Sequence, residues 1–215
     1  MNSRRLTPLD TLIAGFDTTL RQIAGAGQSS SRPTPAPEQD EAATLTRSEA
    51  VLSGRLMRVN HAGEVAAQAL YRGQAMATRD ERVRDAMHEA AEEETDHLVW
   101  CKERLDELGA QPSVLNPFWY AGSFALGFLA GKAGDDWSLG FVGETERQVE
   151  QHIDSHLARL PQSDHRSRAI LEVMKEDEAR HGEKAMAAGG RQLPPLVQSV
   201  MTLTSKVMTK GAFWL

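Results

Sequence analysis

Two hexapeptides, Glu92-Glu-Glu-Thr-Asp-His97 and Glu176-Asp-Glu-Ala-Arg-His181, constrain the fold of this chain more than any other feature. Each ends in Glu-x-x-His, and on a helix that i, i+3 spacing aims both side chains the same way. Solvated Glu and His are commonplace, so what matters is whether each pair falls on the face that a helix buries, where an unpartnered charge is costly. Around the first hexapeptide the stripe at steps of three and four reads Val83, Met87, Ala90, Glu94, His97, Cys101, Leu105. Around the second it reads Leu171, Met174, Glu178, His181, Ala185, Ala188. Both motifs interrupt an apolar stripe, so any fold of this chain must bring partners to Glu94, His97, Glu178 and His181 in its interior.

The stretch from about Arg47 to Gly189 keeps a helical hydrophobic period, with neither alternating strand runs nor an Asn-Gly hairpin signal. Helices are predicted over 48–77, over 80–108 with Gly109 as the stop, up to Pro161, and over 165–188 with Gly189 and Gly190 as the stop. Pro112 and Pro117 open a long crossover between two helical hairpins. The fold class is therefore all-α, a four-helix bundle of ferritin-like connectivity over residues 47–190. Residues 113–131 of the crossover carry no charge and include Phe118, Trp119, Tyr120, Phe124, Leu126, Phe128 and Leu129. That approaches the length of a membrane span, about 18 to 20 residues, yet its Gly, Asn, Ser and Pro content favours a segment packed on the bundle or lying in an interface.

Two flanking regions complete the domain plan. Residues 1–46 begin with a helix capped at Thr7-Pro8, whose apolar face is Leu9, Leu12, Ile13, Phe16, Leu20 and Ile23. From Gln28 to about Thr44 the composition turns to Ser, Pro, Ala and acidic residues and reads as a flexible linker. Residues 191–215 form an amphipathic tail with Val197, Val200, Met201, Leu203, Val207 and Met208, closing on Phe213-Trp214-Leu215, suited to an interface or to capping the core. A net charge of -6 without a basic run argues against nucleic acid as a partner. The lone Cys101 excludes an intramolecular disulfide and a zinc-type cysteine cluster. Asp10 and Asp17 bracket the N-terminal apolar patch, so no signal peptide is predicted.

The same stripe test extends to the other two helices. Leu139, Val142, Glu146, Val149, Ile153, His156 and Leu160 place Glu146 at a core position. Glu150, one turn on, is a rival donor, and Glu144 lies two positions off the stripe. In the first helix Glu64 is the only acidic residue between Ser53 and Thr78, set among Met57, Ala67 and Tyr71, while Gly63, Ala66, Ala69 and Gly73 define a second face suited to close helix approach. The order Glu64, Glu94-x-x-His97, Glu146, Glu178-x-x-His181 is a repeat at near-equal intervals. Four carboxylates and two imidazoles can hold two metal ions, and the carboxylates neutralise two divalent charges.

The chain resembles the bacterial demethoxyubiquinone hydroxylases (2-polyprenyl-3-methyl-6-methoxy-1,4-benzoquinone monooxygenases). The residues that carry the likeness are Arg58-Val-Asn-His-Ala-Gly-Glu64, Glu92 to His97, Glu144-Thr-Glu146 with His152 following, and Glu176 to His181. The likeness spans about Ser48 to the C-terminus and favours Glu146 over its rivals. It implies two iron ions per subunit, with Glu94 and Glu178 bridging, Glu64 and His97 completing one side, and Glu146 and His181 the other. It also implies an O2-dependent ring hydroxylation of a polyprenyl quinol in ubiquinone biosynthesis, at the cytoplasmic side of the cell membrane, where the crossover and tail lay the bundle on the bilayer. It names no electron donor, and a second copy of the chain or other ubiquinone-biosynthesis proteins are its expected partners. Candidates to orient the histidines are Glu93, Asp177, His61, His152 and His156. Other ferritin-like readings fit less well. Storage does not need the apolar crossover, a rubrerythrin-like peroxidase brings a four-cysteine site, and a ribonucleotide reductase subunit needs a longer chain and a radical tyrosine, for which Tyr71 is a thin candidate; a non-enzymatic bundle would hold no metal.

Overall fold

A computed structural model describes Thr7, Ile13, residues 30–36 and residues 45–215, and the predicted N-terminal helix lies outside the described residues. Capping chemistry sets where the helices begin. Thr46 accepts the Glu49 amide while Glu49 accepts the Thr46 amide, a reciprocal cap that opens α1, Arg47–Ala77. Asp80 receives the Arg82 amide and starts α2, Glu81–Glu107, which closes before Gly109 at φ +64°, a left-handed position that suits glycine. The crossover forms α3, Asn116–Ala133, and Gly134 at φ +123° turns the chain into α4, Asp135–Arg159. Asp164 caps α5, His165–Ala187, and α6, Pro195–Trp214, ends the chain. Among the described residues there are six helices and no strand.

α1 packs along α2 and α3, α4 packs along α5, and the two hairpins meet through α2 with α5 and α1 with α4. Buried polar ties fix that meeting at opposite ends. Arg104 on α2 reaches Asp164 at 2.8 Å and donates to Ser167 Oγ at 2.9 Å. At the other end Gln74 Nε2 donates to the Ser138 carbonyl at 2.8 Å and its hydroxyl at 3.0 Å. Between these ties the core divides into two apolar clusters. One gathers Leu56, Met57, Cys101, Ile153, Leu171 and Met174; the other gathers Tyr71, Val83, Met87, Leu139, Val142 and Ala185. The residues that interrupt the stripes fall in the layer between them.

Close helix approach occurs where the small-residue face of α1 meets the crossover. A Cβ on Gly127 of α3 would stand 2.1 Å from the Leu70 carbonyl oxygen, and one on Gly73 of α1 would stand 2.3 Å from the Phe124 carbonyl oxygen. Gly63 takes no part in that seam, since nothing lies within 4 Å of its Cβ position. Because α3 gives its glycine face to α1, its outer face carries Phe118 at 72% and Leu129 at 63% exposure, and α6 likewise exposes Leu196 and Leu203. No helix among the described residues is long and apolar enough to cross a membrane.

One difference from the sequence expectation concerns the stretch read as a linker. Within it, residues 30–36 are seated on the bundle: Ala36 is buried in the first cluster, and Ser30, Ser31 and Arg32 all bond to Asp96 of α2. Composition registers the prolines and serines but not a side-chain contact made across more than sixty positions of sequence.

Substituting Gly127→Ala should force α1 and α3 apart and cost about 1–3 kcal/mol, as overpacking does. Gly63→Ala should leave the midpoint unchanged or slightly raised through helix propensity. Denaturant unfolding of the two variants checks this, and equal midpoints would refute the close-packed seam.

Candidate metal centre

All six stripe-interrupting residues come together in the layer between the apolar clusters. One ligand atom from each of Glu64, Glu94, His97 and Glu178 lies within 4.8 Å of the others, and the same holds for Glu94, Glu146, Glu178 and His181. Glu94 and Glu178 belong to both groups, and all six residues are buried. Each imidazole turns Nδ1 inward. His97 Nδ1 stands 3.0 Å from Glu94, 3.4 Å from Glu178 and 3.6 Å from Glu64; His181 Nδ1 stands 3.5 Å from Glu94 and 3.7 Å from Glu178. Glu144 is committed elsewhere, its two oxygens taken by Arg147 at 2.6 and 2.9 Å, and neither group contains Glu150.

The outward nitrogens select two of the five orienting candidates. His97 Nε2 meets Asp177 at 2.8 Å and His181 Nε2 meets Glu93 at 2.6 Å. The pairing crosses the bundle: α5 supplies the carboxylate for the histidine on α2, and α2 supplies the one for the histidine on α5. A carboxylate at Nε2 keeps the proton there and leaves the Nδ1 lone pair facing the centre. The remaining candidates have other partners. His61 lies 3.3 Å from Asn116, while His156 bonds Asn60 at 3.0 Å and meets the His152 ring edge-on at 3.9 Å, so these join α1 to α3 and α4. Burial, then the charge on Arg159, holds His152 down to about 4 and burial above all holds His156 down to about 2, so both are neutral spacers. Arg32 was not legible as part of the site, since a Ser/Pro-rich segment carries no periodicity from which its contact with Asp96 could be read.

Electrostatics show a site short of positive charge. Burial, then the charge on Glu94, pushes the Glu64 carboxyl well up; burial, then the charge on Glu178, does the same to Glu146. Burial also acts against ionisation of Glu94, but bonds from His181 and His97 outweigh it and carry that group down. The imidazoles move the other way. Burial opposes their charge, yet Asp177 and Glu178 raise His97 well above its usual range, and Glu178 and Glu94 raise His181 to about 11. Without a metal, protons therefore substitute for cations.

The donor set fits metal on structural grounds. Glu94 Oε1, both Glu146 oxygens, Glu178 Oε2 and His181 Nδ1 are buried without a hydrogen-bond partner among the described residues. Orphaned buried acceptors of this kind are rare unless something binds them. Oxygen donors with one imidazole on each side and no thiolate suit iron or manganese better than a soft or tetrahedral thiolate site. Beside the centre, Tyr71, Met87, Ala90, Val142, His181 and Ala185 line an apolar pocket, and the Tyr71 hydroxyl is buried without a partner.

Comparison with known proteins gives this geometry its context. Residues 52–212 match the sequence profile of the family described as Ubiquinone biosynthesis protein COQ7. The chain belongs to the COQ7 family. It is 56% identical over 215 residues, the whole of both chains, to a 3-demethoxyubiquinol 3-hydroxylase of Nitrosococcus oceani. A protein of the same name from Polynucleobacter asymbioticus is 55% identical over 205 residues, covering 95% of this chain and 98% of its own. One from Bordetella pertussis is 55% identical over 212 residues, covering 99% and 95%. The COQ7 match takes in all six converging residues and the apolar crossover, while residues 30–36 lie outside it.

Since His181 is raised to about 11 and His97, Glu64 and Glu146 are all raised well above their ordinary ranges, loading should displace protons from the site, and affinity should rise with pH. Calorimetric titration with a divalent metal near pH 7 in buffers of different protonation enthalpy measures the release. Heats independent of the buffer would contradict the protonated site.

Proposed function

We propose that this COQ7-family chain is an O2-dependent monooxygenase that hydroxylates the ring of a 3-demethoxyubiquinol, a polyprenyl quinol, with two iron ions as its cofactor. The observation that carries the reading is the pair of buried four-residue groups sharing Glu94 and Glu178 beside an apolar pocket. Relatives named 3-demethoxyubiquinol 3-hydroxylase, matched end to end, supply the substrate class. Glu64, Glu94, His97 and Glu178 would hold one ion and Glu94, Glu146, Glu178 and His181 the other. Iron so held would supply the activation of dioxygen, in a monooxygenation that sends one oxygen atom to the ring and the other to water at the expense of two electrons from an external donor and two protons.

The chain's own residues define the rest of the chemistry. Shared carboxylates hold the two sides at one spacing, and Asp177 and Glu93 keep each imidazole turned inward. Met87, Ala90, Val142 and Ala185 exclude water from the approach to His181 and offer an apolar wall to a quinol ring. The Tyr71 hydroxyl, buried on that wall without a partner, would hydrogen-bond a ring oxygen. Delivery of a bilayer-dissolved substrate accounts for the outer faces of α3 and α6, where Phe118, Leu129, Leu196, Val200 and Leu203 are exposed. These faces would rest on the membrane, peripherally and from the cytoplasmic side.

Anaerobic loading with Fe(II) should give two irons per wild-type chain, one or none for Glu178→Ala, and one for Glu64→Ala. Quantitation of bound iron and turnover of a demethoxyubiquinol check this; wild-type protein free of iron after loading, or without hydroxylated product, would end the reading.

Liposome flotation tests the membrane reading. Phe118→Glu combined with Leu129→Glu and Leu203→Glu should release the protein from vesicles that retain the wild type, and undiminished binding would refute it. Phe124 is unsuitable for such a test because it packs on the cluster of Val65, Ala69, Leu98 and Tyr120.

A further inference from the structure

The two hexapeptides differ at the residue before each histidine, Asp96 in the first and Arg180 in the second. That difference breaks the symmetry of the site. Arg180 stands 2.7 Å from Asp177 Oδ1 and 3.4 Å from Glu93, so the second hexapeptide carries its own cation to both orienting carboxylates. Asp96 adds instead a buried negative charge, 3% exposed, on the flank of the His97 side. The compensating cation comes from outside the bundle.

We propose that Arg32, held by Ser30 and Ser31, is a positioning residue that clamps Asp177 and thereby sets the His97 side of the metal centre, making the two metal sites unequal. The inference rests on the two-ion reading above. Asp96 is the anchor: it accepts from Ser30 Oγ at 2.9 Å, the Ser31 amide at 2.6 Å, Ser31 Oγ at 3.0 Å and Arg32 Nε at 2.9 Å. From that anchor Arg32 Nη2 reaches Asp177 Oδ2 at 2.7 Å, the same oxygen that receives His97 Nε2 at 2.8 Å. The guanidinium lies 4.8 Å over the Trp100 ring, whose indole nitrogen donates to the Arg32 carbonyl at 3.4 Å, and Trp100 in turn packs 5.6 Å from the His97 ring.

The planar fork explains why arginine suits this place. Two of its N–H groups address two carboxylates on different helices, Asp96 on α2 and Asp177 on α5, which a point-charge ammonium does less well. Without Arg32, Asp177 keeps Arg180 as its one arginine, on its other oxygen, and can turn away from His97, while Asp96 stays buried with hydrogen bonds from Ser30 and Ser31 but no cation. His181 has no counterpart of this clamp among the described residues. Its partner Glu93 is 28% exposed, lies on the pocket side, and is supported by Arg180 at the longer distance. The His97 side is thus held rigidly and the His181 side more loosely, next to where substrate would enter.

Titration of the full-length, metal-free protein with Co(II) under anaerobic conditions tests the proposal, read by calorimetry and by the cobalt d–d absorption bands. Wild type should take up two ions. In Arg32→Ala one ion should bind about ten- to hundredfold more weakly, the scale of a lost orienting partner, with its absorption bands shifted while the other ion is unchanged. Arg32→Lys should recover part of that loss. Two wild-type affinities in Arg32→Ala would overturn the proposal. So would equal weakening of both ions together with a lowered melting temperature of the metal-free protein, which would mark Arg32 as merely structural. Wild-type uptake of fewer than two ions would instead overturn the two-ion reading, and this inference with it.

Discussion

Everything in this bundle answers to one unfavourable act, the burial of four carboxylates and two imidazoles in a layer between two apolar clusters. Taken from water without partners, such groups cost far more than a single domain's stability can supply. The fold meets the cost in two ways. Carboxylates and histidines face each other across the bundle, and protons or metal ions satisfy the inward lone pairs. Because His97 also needs Glu64 and Glu178 from other helices and His181 needs Glu94, the hairpins must pack in one register for any of this to work. The ties of Arg104 to Asp164 and Gln74 to Ser138 secure that register at both ends.

The outward hydrogen bonds carry the same logic one layer further. His97 takes its carboxylate from α5 and His181 takes its carboxylate from α2, so neither hairpin can orient its own histidine. Ligand geometry and hairpin pairing are thereby one interaction, and a shift of either hairpin would disturb both sides. Arg180 joins the two orienting carboxylates into a single charged strip, which the seated segment at 30–36 extends through Arg32 to Asp96. Partly buried ion pairs of this sort contribute less to stability than to the choice of one arrangement over its neighbours.

Outside the metal layer, close contact between helix backbones governs the packing. α3 is apolar and glycine-bearing because it must lie close on α1 while presenting large side chains outward, and Gly73 and Gly127 remove the Cβ atoms that would hold the two helices apart. The exposed Phe118 and Leu129 follow from that division of labour, and together with α6 they make an apolar outer surface on the α1 side of the bundle.

Sequence alone determined the helices, their stops, the pairing into two hairpins and the six residues that interrupt the core stripes, because helical period and buried charge are local signals read within a few turns. Which candidate orients which histidine was not legible. Asp177, Glu93, His61, His152 and His156 are equally plausible by spacing, and only the packing of α2 on α5 distinguishes the two that reach an imidazole. Glu146 already held a core position on its stripe, and the tertiary structure adds why Glu144 is no rival, since Arg147 claims both of its oxygens. The stretch around Arg32 reads as a linker from composition, which records a residue's type but not the distant carboxylates that will receive it. Tertiary structure decided that contact, since a bond between positions far apart in sequence leaves no period for a single chain to reveal.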